Sequence, residues 1–473
     1  MSEHPTRVWS VVPRVAPGRT PASSHARTVL ATASAGFFLI TLDISIVNVA
    51  LARIQAELGA GTVGQQWIID GYTLVFAALL LFAGNLADRI GARRAFAVGV
   101  AVFTLASLAC AAAPTAWTLV AARCVQGAGA AVMLPASMAL VRAAFTDGPS
   151  RARALGVWAV GGAVAGLVGQ PLGGVLTTLD WRWVFLVNVP VCVAMLCLLT
   201  RVEPSGTRRV RFDWPGQLLA LVVLTALVYG LIDGGHRGFT SAPVLVALVV
   251  TVVALAAFLR VQSRSDHPMM PLGLFHARGF RIALPVGFAF MVGNYGNVFV
   301  SSLFLQQHLG ASPLRAGLAF LPSAAFAVVG NLTSGPITNR FGPRLPIVGG
   351  LLLMVAGLTG LVLTAQHGSL VLVALLTIPI GAGGSLAMPP VTGVVLDGVD
   401  ADLAGTASAV FNTVRQVGGA VAIAVFGALV ADPATFVGGL RVSFVVAATL
   451  LLVTALLSLR IGRTPPAPGP TDP

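Results

Sequence analysis

The sequence predicts an all-α integral membrane protein that crosses the bilayer about fourteen times. Three observations carry that expectation: an excess of apolar side chains, apolar runs of spanning length, and arginines confined to alternate loops. Hydrophobic residues make up 56% of the 473-residue chain and charged residues 10%, with a mean hydropathy of +0.89. A soluble domain carries roughly 25% charged residues. A chain of this length has too small a core to hide so much apolar surface from water. A bilayer removes the difficulty, because lipid is the apolar solvent.

The runs fall at 28–51, 65–86, 95–113, 117–141, 153–178, 184–201, 214–233, 242–260, 281–305, 316–338, 345–364, 369–395, 404–430 and 442–460. Each suits a spanning helix, since a core of ~30 Å needs ~20 residues. Residues 1–27 and 461–473 read as disordered cytoplasmic tails, and the first run as a retained helix. All 29 basic residues are arginine. With both termini inside, 22 of them lie in inner segments, 5 in outer loops, and Arg123 and Arg415 within runs. That bias sets the orientation. It also explains the net charge of +13 without nucleic acid, because the arginines do not stripe one face. An inner loop with Asp397, Asp400 and Asp402 and no arginine dissents mildly. Cys110, Cys124, Cys192 and Cys197 lie in apolar runs without metal-ligand spacing.

The segment Gly84-Asn85-Leu86-Ala87-Asp88-Arg89-Ile90-Gly91-Ala92-Arg93-Arg94 is echoed by Gly335-Pro336-Ile337-Thr338-Asn339-Arg340-Phe341-Gly342-Pro343-Arg344, an offset of 251 residues. Two parallel halves are a transporter signature. The halves are predicted at 28–201 and 281–460, with a linker at 202–280 holding two extra helices.

At these residues the chain resembles the major facilitator superfamily, and more narrowly its fourteen-helix drug:proton antiporters. Leu42 to Leu51 resembles the first-helix signature of that group. Arg123, Gln126, Gly127 and Gly129 resemble the fourth-helix motif, and Gly156, Gly169, Gly173 and Gly174 the fifth-helix antiporter motif. Trp181-Arg182-Trp183-Val184-Phe185-Leu186-Val187-Asn188-Val189-Pro190 is also similar to this group. Three departures stand out: Ala52 replaces a proline, Pro171 is displaced by one residue in Gly169-Gln170-Pro171, and Asn339 replaces aspartate. The resemblance implies the major facilitator fold of two six-helix halves. It also implies gating by Gly84, Asp88, Arg89, Gly91, Arg93, Arg94, Gly169, Pro171, Gly173 and Gly174, with Asp88 pairing across the halves.

Ionisable groups inside a membrane cost about 2.5–3.5 kcal/mol each on insertion scales, so each suggests function. Asp43 lies on the order of 12 Å below the outer end of the first run and Arg123 on the order of 9 Å below that of the fourth, so the two can pair. Either Asp43 carries the coupled proton with Arg123 governing its exchange, or the two form a static ion pair. Arg415 shares one polar helix face with Asn412, Gln416 and Gly419, facing either substrate or neighbouring helices. The offset of 251 maps Asp43 onto Asn294, an uncharged counterpart in the second half that lies with the polar Tyr295 and Asn297, all three being substrate-binding candidates. Gln126 is a further substrate-binding candidate. Trp67 and Asp70 share a face near the outer end of the second run, where Asp70 reads best as an ordinary interfacial carboxylate and alternatively as a vestibule residue. Gln306 and Gln307 cap a helix end. Gly162, Gly166, Gly169 and Gly173 form one small-residue stripe for close helix contact.

There is no P-loop, no metal-spaced His or Cys set and no nucleophile elbow, so the sequence is not read as an enzyme, and no cofactor or metal is implied. The expected partners are a small-molecule substrate, protons and the lipid bilayer of the bacterial inner membrane, with the chain acting as a monomer. The expected function is proton-coupled export of amphipathic drugs or antibiotics by alternating access; the rivals are a proton-coupled importer and a multipass sensor.

Overall fold

The computed structural model describes residues 24–462 except 146, 208–211, 266, 367, 398 and 400–402. The predicted tails therefore lie outside the described residues, except 461–462 and 24–27, which open the first helix instead of ending a tail. Arg208, Arg209, Arg211, Asp400 and Asp402 also lie outside them.

The described secondary structure is helical. The first half contains α1 (Ser24–Leu58), α2 (Gly61–Ile90), α3 (Ala92–Ala111), α4 (Ala116–Ala144), α5 (Gly148–Leu179), α6 (Trp183–Leu186) and α7 (Asn188–Leu199). A hairpin follows, α8 (Trp214–Arg237) and α9 (Ala242–Arg264). The second half contains α10 (Arg278–Leu303), α11 (Pro313–Ala319), α12 (Leu321–Phe341), α13 (Arg344–Thr364), α14 (Leu370–Leu396), α15 (Ala404–Leu429) and α16 (Phe436–Ser458). Twelve helices are long and apolar enough to cross a membrane. The helix Gly61–Ile90 passes the same test as a pair bent by 58°, and Trp183–Leu199 is a shorter apolar stretch where the sixth crossing is predicted. The fourteen predicted runs thus each meet a helix, but two do so in bent or shortened form.

The packing repeats as the sequence does. α1 lies against α5, α2 against α4, and α3 against α4; in the second half α10 lies against α15, α12 against α14, and α13 against α14. The repeated motif ends α2 and α12 with Gly91 at φ +89° and Gly342 at φ +80°. A side chain is strained at these dihedrals, so both copies of the turn use glycine.

Glycine also sets how closely helices approach. A Cβ on Gly127 would strike the Tyr72 carbonyl of α2, and one on Gly129 would come within 2.8 Å of the Phe103 nitrogen of α3. Two glycines on α4 therefore let it seat against both neighbours. On α5, Gly162, Gly169 and Gly173 face Phe37, Ser45 and Ile46 of α1, but Gly166 faces open space, which corrects the four-residue stripe to three. This contact lies inside the first half and is not the surface between halves. That role belongs to Gly174 and Gly317: Gly174 packs on Pro313 and Leu314, and Gly317 on the Gln170 carbonyl.

The face holding residues 59–60, 112–115 and 309–312 is here called outer, following the arginine bias. The halves meet there. Gln66 of α2 donates to the carbonyls of Ile423 and Ala424 on α15, at 3.1 and 2.7 Å. The Ser302 hydroxyl donates to the Asn48 carbonyl, and Gln307 to the Gln55 side-chain oxygen at 2.8 Å. Gln307 is thus a bridge between halves, not only a cap, while Gln306 turns back to Ser302. Nearer mid-depth, the Thr413 hydroxyl donates to the Ala77 carbonyl. At the inner face, Asp88, Arg89, Asn339 and Arg340 are exposed.

The hairpin packs by α8. Gln217 donates to the Ala78 carbonyl of α2 at 2.8 Å, and Val228 and Ile232 join Leu74 of α2 and Ala420 and Ala424 of α15 in one apolar cluster. At its base, Asp213 caps α8 through the Gly216 amide and accepts from Gln262 of α9 at 2.6 Å. Val246, Val249, Val252 and Val253 of α9 are exposed, the pattern of a helix facing lipid.

Candidate functional site

A buried charge pair sits in the first half. α1 supplies Asp43 and α4 supplies Arg123 and Gln126, one turn apart on the same face. The close seating of α4 that Gly127 and Gly129 allow brings this face to Asp43. Arg123 Nη1 donates to Asp43 Oδ2 and, at 2.7 Å, to Gln126 Oε1; its Nε donates to the Ile68 carbonyl at 3.1 Å. Gln126 Nε2 and Asn188 Nδ2 both donate to Asp43 Oδ1, at 2.9 and 3.0 Å. Ser107 accepts from the same two amides at 2.9 and 3.4 Å. The guanidinium also lies over the Tyr72 ring, 4.3 Å from its centroid. Asp43 is fully buried and Arg123 is 1% exposed.

The predicted pairing of Asp43 with Arg123 is therefore formed. Gln126, a substrate-binding candidate in the sequence, is part of that network. Asn188 and Ser107 were not singled out by the sequence reading. The signal for Asn188 was present: an amide inside an uninterrupted apolar run must find partners or lose several kcal/mol. Val187 interrupts the helix beside it, dividing α6 from α7.

Asp70 differs from expectation. It is fully buried, not interfacial. α2 begins at Gly61, four residues before the predicted start, so Asp70 lies about 13 Å into the helix at ~1.5 Å per residue. It falls on the face of Gln66, Thr73 and Ala77, which turns toward α15. Its only hydrogen bond among the described residues is a 3.4 Å contact from the Thr73 hydroxyl, and Oδ2 has no partner. Trp67 is half-buried, packed between apolar clusters.

The second-half candidates divide. Arg415 and Asn412 touch, with Arg415 Nη1 donating to Asn412 Oδ1 at 3.3 Å. The guanidinium carbon lies 5.6 Å from the Phe290 ring centroid and 5.7 Å from that of Phe411. Tyr295 packs against Gly419. Asn297 is buried and accepts from Ser301, a structural role, whereas Asn294 is half-buried. Gln416 is buried with Oε1 unpartnered.

The gating candidates Arg89, Gly91 and Arg93 contact residues that follow α7. Arg93 Nε donates to the Leu199 carbonyl at 3.0 Å, its amide to the Ser205 hydroxyl, and Arg89 lies over Phe212. Asp88, expected to pair with a basic group or a helix N-terminus across the halves, is exposed and forms no ion pair among the described residues. Among the described residues no His, Cys, Asp and Glu group could hold a metal, and the four cysteines are unpaired.

Two repeated helical halves, sealed against each other at one face and enclosing buried charges, define a secondary transporter. Residues 33–423 match the family model of the Major Facilitator Superfamily. The chain is 38% identical over 442 residues to the methylenomycin A resistance protein of Streptomyces coelicolor, covering 93% of this chain and 92% of that protein. It is 39% identical to the multidrug resistance protein Stp of Mycobacterium tuberculosis (85% and 75% covered) and 38% identical to the cephamycin export protein CmcT of Amycolatopsis lactamdurans (86% and 86%). In fold it is similar to a crystal structure of the peptide transporter POT, with a TM-score of 0.67 at 15% identity over 92% of this chain and 94% of that one. A D-xylose–proton symporter gives 0.67 at 13% over 92% and 98%. The chain belongs to the Major Facilitator Superfamily.

Proposed function

We propose that the protein exports amphipathic drugs or antibiotics across the bacterial cell membrane in exchange for protons. The observation that supports this most is the sealed Asp43–Arg123 pair inside a bundle whose halves close at the outer face. A buried carboxylate paired with a guanidinium inside a spanning bundle is the kind of group that proton exchange requires. The names of the relatives point to the same cargo class: a methylenomycin resistance protein, a cephamycin export protein and a puromycin resistance protein. Asn412, Arg415, Asn294 and Tyr295 are the polar groups assigned to substrate, and Asp88 and its neighbours to inner-face closure. The chain acts as a monomer.

The test uses everted membrane vesicles with an acid interior. Methylenomycin A, cephamycin C and puromycin are added outside, and interior pH is followed. An exporter that exchanges cargo for protons dissipates the gradient when its substrate is added. An importer by symport does not respond to external substrate, and a sensor responds to none; either result for every compound rejects the proposal.

The chain crosses the membrane fourteen times with both termini cytoplasmic, counting bent α2 and the α6–α7 stretch as one crossing each. Reporter fusions after Gly206 and Gly273 are expected to read cytoplasmic and one after Gly235 external. Opposite readings at Gly206 and Gly273 would remove one hairpin helix from the membrane.

A further inference from the structure

Among the described residues, Arg415 is a cation without a counter-ion. No aspartate or glutamate stands within ion-pair distance of it among the described residues. Its Nε is buried without a hydrogen-bond partner, and its one side-chain acceptor is the neutral Asn412 at 3.3 Å. The side chain as a whole is only half-buried, so the rest of the guanidinium remains reachable. Arginine does not shed its proton, so the charge is permanent. A desolvated charge is retained at a cost of several kcal/mol unless something pairs with it. Aromatic carbon flanks the guanidinium: the half-buried Phe290 ring on one side and the buried Phe411 ring on the other. The contrast with Arg123 is direct, since that guanidinium has a carboxylate, a carbonyl and an amide oxygen to itself.

We infer that Arg415 is an anion-recognition residue and that the preferred cargo is an amphipathic carboxylate, its acid group bound by the guanidinium and its apolar frame by the half-buried Phe290 ring. A carboxylate matches the guanidinium fork with two parallel hydrogen bonds. Aromatic walls take up the hydrocarbon part of such a molecule and exclude an inorganic anion's water shell. This inference rests on the exporter reading and adds the charge of the substrate to it.

The experiment measures binding by calorimetry to the purified full-length protein, with two probes of one frame and opposite charge, 2-naphthoate and 2-naphthylmethylammonium. Wild type is expected to bind naphthoate at least tenfold more tightly than the ammonium probe. Arg415→Gln is expected to lower naphthoate affinity about tenfold or more, equivalent to ~1.4 kcal/mol, and to leave the ammonium probe within about twofold. Arg415→Lys, which keeps the charge but not the fork, is expected to fall between the two. Equal naphthoate affinity in wild type and Arg415→Gln overturns the inference, as does a preference for the ammonium probe or no saturable naphthoate binding to wild type. The wild-type comparison needs no variant to fold. Binding is read without a proton gradient, so a failure of proton exchange in vesicles would reject the exporter reading while leaving the charge preference measurable.

Discussion

Asp43→Asn is expected to abolish uphill accumulation of substrate in everted vesicles under an imposed pH gradient while sparing substrate binding and downhill exchange. Asparagine keeps the shape of the side chain and its one oxygen can still accept from Gln126 and Asn188, but it cannot carry a proton. Arg123 would not be left bare, because the Ile68 carbonyl, Gln126 Oε1 and the Tyr72 ring remain. The protein should therefore still reach the membrane. The energy scale is adequate: a proton crossing ~100 mV gains about 2.3 kcal/mol, and one unit of pKa is worth about 1.4 kcal/mol. A rearrangement of α1 against α4 that parts Arg123 from Asp43 would couple the proton to the transport cycle. If Asp43→Asn concentrates substrate as wild type does, the proton site is elsewhere, and Asp70 is the next carboxylate to replace. It is buried between the halves with one long hydrogen bond, so taking a proton would supply Oδ2 with a donor of its own.

Arg123→Leu is expected to have the largest effect on the folded protein. It strands an ionised carboxylate at a fully buried site with only amide donors left. Removing one partner of a buried pair costs about 3–5 kcal/mol, a large share of a typical folding free energy. The expected result is a strong loss of protein from the membrane fraction and a lowered melting temperature in detergent. Combining it with Asp43→Asn removes both charges, and this double variant should recover most of the membrane-embedded protein but none of the uphill transport. Full transport by the double variant would reduce the pair to a structural one.

Much of the architecture was legible because membranes impose simple rules. Apolar runs give helices, arginine gives orientation, and the repeated Gly84–Arg94 and Gly335–Arg344 segments sit at matching turns with Gly91 and Gly342 in matching dihedrals. The Asp43–Arg123 pair was legible because each charge interrupts an apolar run. The errors arose where polar side chains are buried by tertiary partners. The second run is begun at Gln65, four residues after α2 starts at Gly61, and that leaves Asp70 near the interface. Gln65 donates to the Leu51 carbonyl and to Gln55, and Gln66 to two carbonyls of α15. Contacts between residues hundreds of positions apart leave no periodic trace in the sequence. Gly166 failed for a related reason: helical spacing puts it on the stripe, but α1 does not reach it.

The α8–α9 hairpin belongs to neither repeat, yet α8 touches α2 of one half and α15 of the other. The two attachments differ in kind. Toward α2 there is a directional bond from Gln217 to the Ala78 carbonyl, while toward α15 there are the small side chains Ala420 and Ala424. Apolar contact has no preferred direction, so it tolerates sliding that a hydrogen bond does not. A rocking motion of the halves would carry α8 with α2 and slide it over α15, making the hairpin a shutter over that seam fixed to one half.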